Sequence, residues 1–390
     1  MVDTAEIAPP ITTRLITKVD TQHPTLPPPP SPIGRLEGPP RPPRWPFWTL
    51  GSMLVVLGLI YGSLFLIHVP YATIAPGHAN ETTSLIAVDG ADVYPPTGDV
   101  LYTTVSIRYS VQLWRAIQGW RDSNIDVPSM DQVTGGRSVS ETSKVNQDLM
   151  KGSKDTAVLV ALRYLGYPIV GHGALVVEIA DNTDAVGKLD PGDVIAAVDG
   201  QPIEFGNDLR TVTTAHQVGD VVTLHIDPAA DGKSARDVEV KLSADPDDAT
   251  HSIIGVGIQD YNVELPFDVT LDTGRVGGPS AGLAFTLGII DVLTPGELTG
   301  GQKIAVTGTI RSDATVGPVG GVAQKTEAVK RSGAKVFLVP GDEYEEATAH
   351  AGASLHVIQV DTLDQALAVL ADLGGNAADL RTPVDAAAPD

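Results

Sequence analysis

From residue 45 to residue 67 the chain reads WPFWTLGSMLVVLGLIYGSLFLI, with no formal charge and no continuous polar face. A helix that is apolar all round belongs in a membrane or a core, and this one is long enough to cross a hydrocarbon layer of roughly 30 Å. Trp45, Trp48, Tyr61 and Tyr71 stand near its ends, where aromatic rings anchor at the interface. The pattern predicts a single transmembrane helix over 46–69. The run is longer than the roughly 7 to 15 apolar residues of a cleaved signal sequence.

Beyond the span the texture is mixed. GDVLYTTVSIRYSVQLW (98–114) reads as strand running toward helix, and SETSKVNQDLMKGSKDTAVLVALRYLGY (140–167) reads as largely helical, opened by Ser140 and Glu141. Residues 70–168 are therefore expected to be a connecting α/β region. From about 170 short β-rich runs follow one another: GALVVEIA, GDVIAAVDGQPI, GDVVTLHID and DVEVKLS, with a helical GNDLRTVTTAHQ among them. They predict a small β-rich domain over 169–245. The last third predicts an α+β domain over 250–375. In it Phe267, Val269 and Leu271 alternate as a strand, an apolar helix begins at Ala281, Ile304–Val306 form a strand, and a glycine-rich turn (317–321) leads to a helix carrying Lys325. The Pro-rich residues 1–45 are expected as an extended tail, and 376–390 as a flexible acidic one.

Charge narrows the partners. The chain carries a net −22, and residues 1–46 hold five Lys/Arg against four Asp/Glu, so the acidity belongs to the residues beyond the span. Such a surface repels nucleic acid, which is bound by clustered Lys and Arg. Arg35, Arg41 and Arg44 precede the span while Glu81, Asp89 and Asp92 come after it. The positive-inside rule thus puts the N-terminus in the cytoplasm and residues beyond 70 outside it. There is no cysteine, hence no disulfide and no thiol nucleophile. No HExxH or other metal-ligand cluster occurs, and the nearest approach to a phosphate loop, DPAADGKS (227–234), has Asp227 where the first glycine belongs. Neither metal nor cofactor is expected.

The chemistry concentrates at GGPSAGLAFTL (277–287). Ser280 falls at the start of the apolar helix, where unpaired N–H groups and the helix dipole favour a developing negative charge. A serine there is also an ordinary helix cap. Gly278 to Gly282 satisfy G-x-S-x-G, but the β-rich module before them is not the run of βαβ units that an α/β-hydrolase elbow requires. Lys325 is a candidate base if burial leaves it neutral, and a serine–lysine pair is a recognised dyad.

Two resemblances organise these residues. KLDPGDVIAAVDGQPIEFGNDL (188–209) resembles the core of PDZ domains of the bacterial protease-associated kind, which bind extended peptides by strand addition. That resemblance implies a carboxylate-binding loop and an edge strand over Gly171–Val177, with Gly173, Ala174, Leu175 and Val176 as peptide-binding positions and the helix from Asn207 to Gln217 facing them. The loop lacks the usual aromatic-glycine ending. GGPSAGLAFTL, VTGTI and VGPVGGVAQKTEAVKRSGAKVFLVP resemble the proteolytic domain of the Lon family of serine proteases, in order and spacing. The resemblance implies Ser280 as nucleophile, Lys325 as its dyad partner, Thr307 as the hydroxyl that holds the lysine, and backbone N–H groups at Gly278 and Ala281 for the oxyanion. Gly277 and Thr309 stand where many Lon proteins have acids. The fold class is thus multidomain: one N-terminal transmembrane helix, a β-rich PDZ domain and an α+β Lon-type proteolytic domain without an ATPase. The expected function is an ATP-independent, membrane-anchored serine endopeptidase acting on unfolded or flexible proteins, with homo-oligomeric rings implied by the resemblance. The rival is a membrane-tethered PDZ scaffold whose protease fold is inactive.

Overall fold

The computed structural model describes residues 45–228, 234–246 and 248–381; most of the Pro-rich tail, the middle of DPAADGKS and residues 382–390 lie outside the described residues. The apolar run forms α1 (Trp45–Leu66), 22 residues, or about 33 Å at 1.5 Å per residue. By length and composition it is able to cross a membrane.

The next segment supplies β1 (Thr73–Glu81), β2 (Ile86–Asp89), β3 (Asp99–Arg108), α2 (Leu113–Arg121), α3 (Met130–Thr134) and the 26-residue α4 (Val139–Tyr164). α4 opens at Ser138 rather than at the expected Ser140. The Ser138 side chain accepts from Glu141 N–H, and Glu141 reaches back to Ser138 N–H, because S-x-x-E places these two groups for reciprocal capping.

The β-rich unit comprises β4 (Ala174–Ile179), β5 (Asp193–Val198), β6 (Gln201–Pro202), α5 (Gly206–Thr214), β7 (Val221–Pro228), β8 (Arg236–Lys241), β9 (Ser243–Ala244), β10 (Ser252–Ile253) and β11 (Val256–Asp260). Its sheet runs β11-β4-β5-β7-β8, with β6 beside β5. Val176, Ile195, Leu209, Leu224 and Val240 fill its core. β12 (Asp268–Leu271), α6 (Gly282–Leu293), β13 (Lys303–Val306), β14 (Thr309–Ile310), β15 (Val316–Gly317), α7 (Val322–Ser332), β16 (Val336–Val339), α8 (Tyr344–Ala351), β17 (His356–Gln359) and α9 (Leu363–Asp372) complete the chain. Ala377 is buried in a short turn that follows α9, so the expected tail begins later than 376.

The second large sheet is ordered β1-β3-β13-β16-β17. β13 lies parallel to both β3 and β16, and β12 pairs with β2. The segment expected to connect therefore contributes two strands to this sheet, and α4 shares one core with α6 and β13. The reason is burial: α6 is buried along its whole length, and the later elements alone do not enclose it. The β-rich unit is thereby an insertion. The chain leaves and re-enters the sheet-bearing body at Val170 and Glu264, whose backbones exchange hydrogen bonds of 3.2 and 2.8 Å. Beneath that stalk the Tyr167 and Phe267 rings meet edge to face, 5.0 Å apart.

Candidate active site

The loop before α6 is fixed from two sides. From α4, the Asn146 carbonyl accepts Gly278 N–H (2.8 Å) and Ser153 Oγ donates to the Pro279 carbonyl (3.0 Å). From the turn after β13, Gly308 N–H (3.0 Å) and Thr307 Oγ1 (3.2 Å) both donate to the Ser280 carbonyl. Gly282 is required by close approach: a Cβ there would lie 2.9 Å from Ile310 N and 3.0 Å from Ser153 Oγ. Gly278 has φ +90°, in the left-handed region where glycine carries no penalty. The cap of α6 is Ala281, so the Ser280 hydroxyl is not spent on capping, and the choice between cap and nucleophile does not arise.

These bonds separate the two candidate oxyanion donors. Gly278 N–H already serves the Asn146 carbonyl, which removes it from that role. The cause is the packing of α4 against this loop, so tight that a Cβ on Gly277 would meet Asn146 Cβ at 3.0 Å. Ala281 N–H sits at the unsatisfied amino end of α6, the kind of donor an oxyanion uses.

Lys325 lies on the first turns of α7, 2% exposed, and its Nζ donates to Thr307 Oγ1 at 3.1 Å. Thr307, fully buried, thus links the lysine to the serine's own peptide group. Burial pushes the Lys325 ammonium down to about 7, and the Glu343 carboxylate pulls weakly the other way. Glu343 is itself buried; its Oε1 accepts Val319 N–H at 3.0 Å, tying the start of α8 to the glycine-rich turn that leads into α7. Asn146, Ser153 and Glu343 were not singled out by sequence. Their signal is faint: a polar residue on the buried face of α4, and one acid among several in PGDEYEE.

Of the four positions expected to bind peptide, Ala174 and Leu175 are paired on both edges. Ala174 and Leu175 pair with Ile195 and Val194 of β5 on one side, and with Asp260 and Gln259 of β11 on the other, while Val176 faces Ile258. Gly173, at φ +113°, donates to the Glu204 carbonyl and accepts Tyr261 N–H, and His172 N–H donates to the Tyr261 carbonyl. β4 is therefore not the edge strand that the resemblance implied; β11, from the segment between the two domains, covers it.

A cavity of about 850 Å³ separates α4 from the first turn of α5 and from β11, with Asp148, Lys151, Arg210, Asp260 and Arg311 in its wall. A smaller one of about 390 Å³ shares Asp148 and Gln259 with it and reaches Pro279. Neither is lined by Ser280 or Lys325, so these two residues lie beside this trough, not at its floor. Among the described residues no cluster of His, Asp and Glu is arranged to hold a metal ion.

Residues 267–372 match the family model of the Lon protease (S16) C-terminal proteolytic domain, and residues 150–242 match that of the PDZ domain. Lon protease of Vibrio parahaemolyticus is 29% identical over 198 residues, 47% of this chain and 23% of its own. Lon protease 2 of Bacillus subtilis is 31% identical over 114 residues, 29% of this chain and 20% of its own. The chain thus spans about a fifth of the length of these curated relatives. A crystal structure of the PDZ domain of an SdrC-like protein from Listeria monocytogenes is similar over 22% of this chain and 87% of its own, at 24% identity and a TM-score of 0.20.

Proposed function

We propose that this chain, in which a PDZ domain and a Lon-type proteolytic domain occur together, is a serine endopeptidase with a Ser280–Lys325 dyad. The observation that carries the reading is the buried Lys325 amine bound to Thr307 Oγ1, with Thr307 bound in turn to the Ser280 carbonyl. A lysine with a pKa of about 7 is half neutral at physiological pH, and a neutral amine has a lone pair with which to take a hydroxyl proton. Donating one N–H to Thr307 fixes the amine's orientation. Ser280 Oγ then attacks the scissile carbonyl as its proton passes to Lys325, Ala281 N–H stabilises the oxyanion, and the lysine returns the proton to the leaving amine. Water repeats the sequence on the acyl-enzyme.

The α1 span anchors the enzyme with its N-terminus in the cytoplasm and both folded domains outside it, as the flanking arginines favour. With no phosphate-loop motif in the sequence, this chain supplies no motor, so its substrates are unfolded or flexible polypeptides cut without ATP, selected or gated by the PDZ domain. An inert scaffold has no need to bury an ammonium group at a cost of several kcal/mol per ion.

The test is cleavage of an unfolded casein without ATP by the full chain in detergent, beside Ser280→Ala and Lys325→Ala. Each substitution is expected to lower kcat/KM by about 10³-fold or more. Cleavage that persists in Ser280→Ala assigns the activity elsewhere.

A further inference from the structure

The PDZ sheet contains one strand that the PDZ match leaves out: β11 lies beyond residue 242. It runs antiparallel along the outer edge of β4, beside α5, the place where an extended ligand adds to a PDZ sheet. Its direction is also a ligand's, because its C-terminal end reaches Ala174 and the Gly171–Gly173 loop. Val256 and Ile258 pack against the PDZ core while Gln259 faces outward. Ile258 reaches the first residue of α5, where a Cβ on Gly206 would meet Ile258 Cδ1 at 3.0 Å, and Asp260 Oδ1 accepts Gly206 N–H at 2.7 Å. Upstream, Ser252 Oγ donates to the Thr213 and His216 carbonyls at the other end of the helix.

The seat is also at an edge of the sheet. β11 is terminal, its register with β4 shifts between Gly257 and Ile258, and none of its residues is fully buried, whereas β5 is buried at four of six positions. Edge strands with few buried contacts open at low free energy.

We infer that residues 256–260 are an internal ligand of the PDZ groove, and that an extended polypeptide with the pattern apolar-x-apolar-x-acid binds there by displacing them. Resting on the protease reading above, that polypeptide is a segment of the unfolded substrate. Its acid takes the Gly206 N–H at the head of α5, and its two apolar side chains replace Val256 and Ile258. Displacement reaches the serine loop, because β11 leads through the stalk into β12 and Gln259 lines the cavity that ends at Pro279.

The experiment separates this exchange from catalysis by using the Ser280→Ala full chain in detergent, with a fluorescein-labelled peptide SIIGVGIQDYN, a copy of residues 252–262, as probe. Ile258→Asp in that background puts a charge into an apolar seat, and the peptide is expected to bind this variant at least tenfold more tightly than the parent. Amide exchange on the parent, which depends on no groove substitution, is expected to be at least tenfold faster for 256–260 than for β5 and β7, and to quicken further when the peptide takes β4's outer edge and displaces them. Equal peptide affinity for the two chains, or protection of 256–260 equal to that of β5, overturns the inference and makes β11 a fixed strand of the domain.

Discussion

Under the proposed dyad, Lys325 serves function at the expense of stability. Its pKa falls from 10.5 to about 7 on folding, so between these values the unfolded chain binds the extra proton and stability rises with pH. Below pH 7 the folded state must hold a buried ammonium, at a cost on the order of a few kcal/mol. Lys325→Met keeps the volume and removes the charge. It is expected to raise the melting temperature at pH 6 to 7, by calorimetry, while abolishing cleavage; a lower melting temperature would show that the amine stabilises the fold. The same pKa places the acid limb of kcat/KM near pH 7, with activity lost as Lys325 protonates below it. Sequence locates this residue only through its company: Lys330 and Lys335 sit in the same stretch, and nothing in local periodicity tells the three apart. Burial by the β1 and β3 strands, far away in sequence, makes the difference.

Among the elements, α6 is fully legible in sequence because twelve residues with hardly a polar atom leave only burial as an option. α4 is legible as a helix but not as half of the serine's support, since the Asn146 and Ser153 contacts span more than 120 residues of sequence. α6 also carries Asp291, 2% exposed, with Oδ1 accepting Leu298 N–H at 3.0 Å and Oδ2 unpartnered. Burial, reinforced by Glu297 and Asp99, raises its pKa to about 7. Folding therefore takes up a proton between about pH 4 and 7, and this group's contribution to stability falls as pH rises through that window. Asp291→Asn retains the carbonyl acceptor and cannot ionise. Its melting temperature relative to the parent is expected to climb from pH 4 to pH 8, by an amount on the order of a few kcal/mol in stability. A difference that stays flat with pH contradicts a buried acid at this position.

For the whole molecule, the order of parts is readable from short motifs, whereas the nesting of one domain inside the other is not. Local pattern sets 70–168 simply between membrane and PDZ domain, because it carries no record of which distant strand a segment pairs with. The structure pairs β3 with β13 across about two hundred residues and leaves the PDZ unit hanging from the Val170–Glu264 stalk. That geometry makes the insertion removable. Two residues that exchange backbone hydrogen bonds in an antiparallel pair lie about 5.5 Å apart at Cα, a gap a short turn closes at small entropic cost. Replacing residues 171–263 by Asn-Gly, the two-residue hairpin turn, is expected to leave a cooperatively unfolding body in which β1, β3, β13, β16 and β17 still form one sheet. It would also uncover the α4 face that lines the large cavity, so a loss of up to a few kcal/mol is expected from Val158 and Leu159 becoming more exposed. Cleavage of unfolded casein that survives this excision assigns the chemistry to the body and selection to the insertion. A body that fails to fold shows instead that the PDZ domain is part of its core.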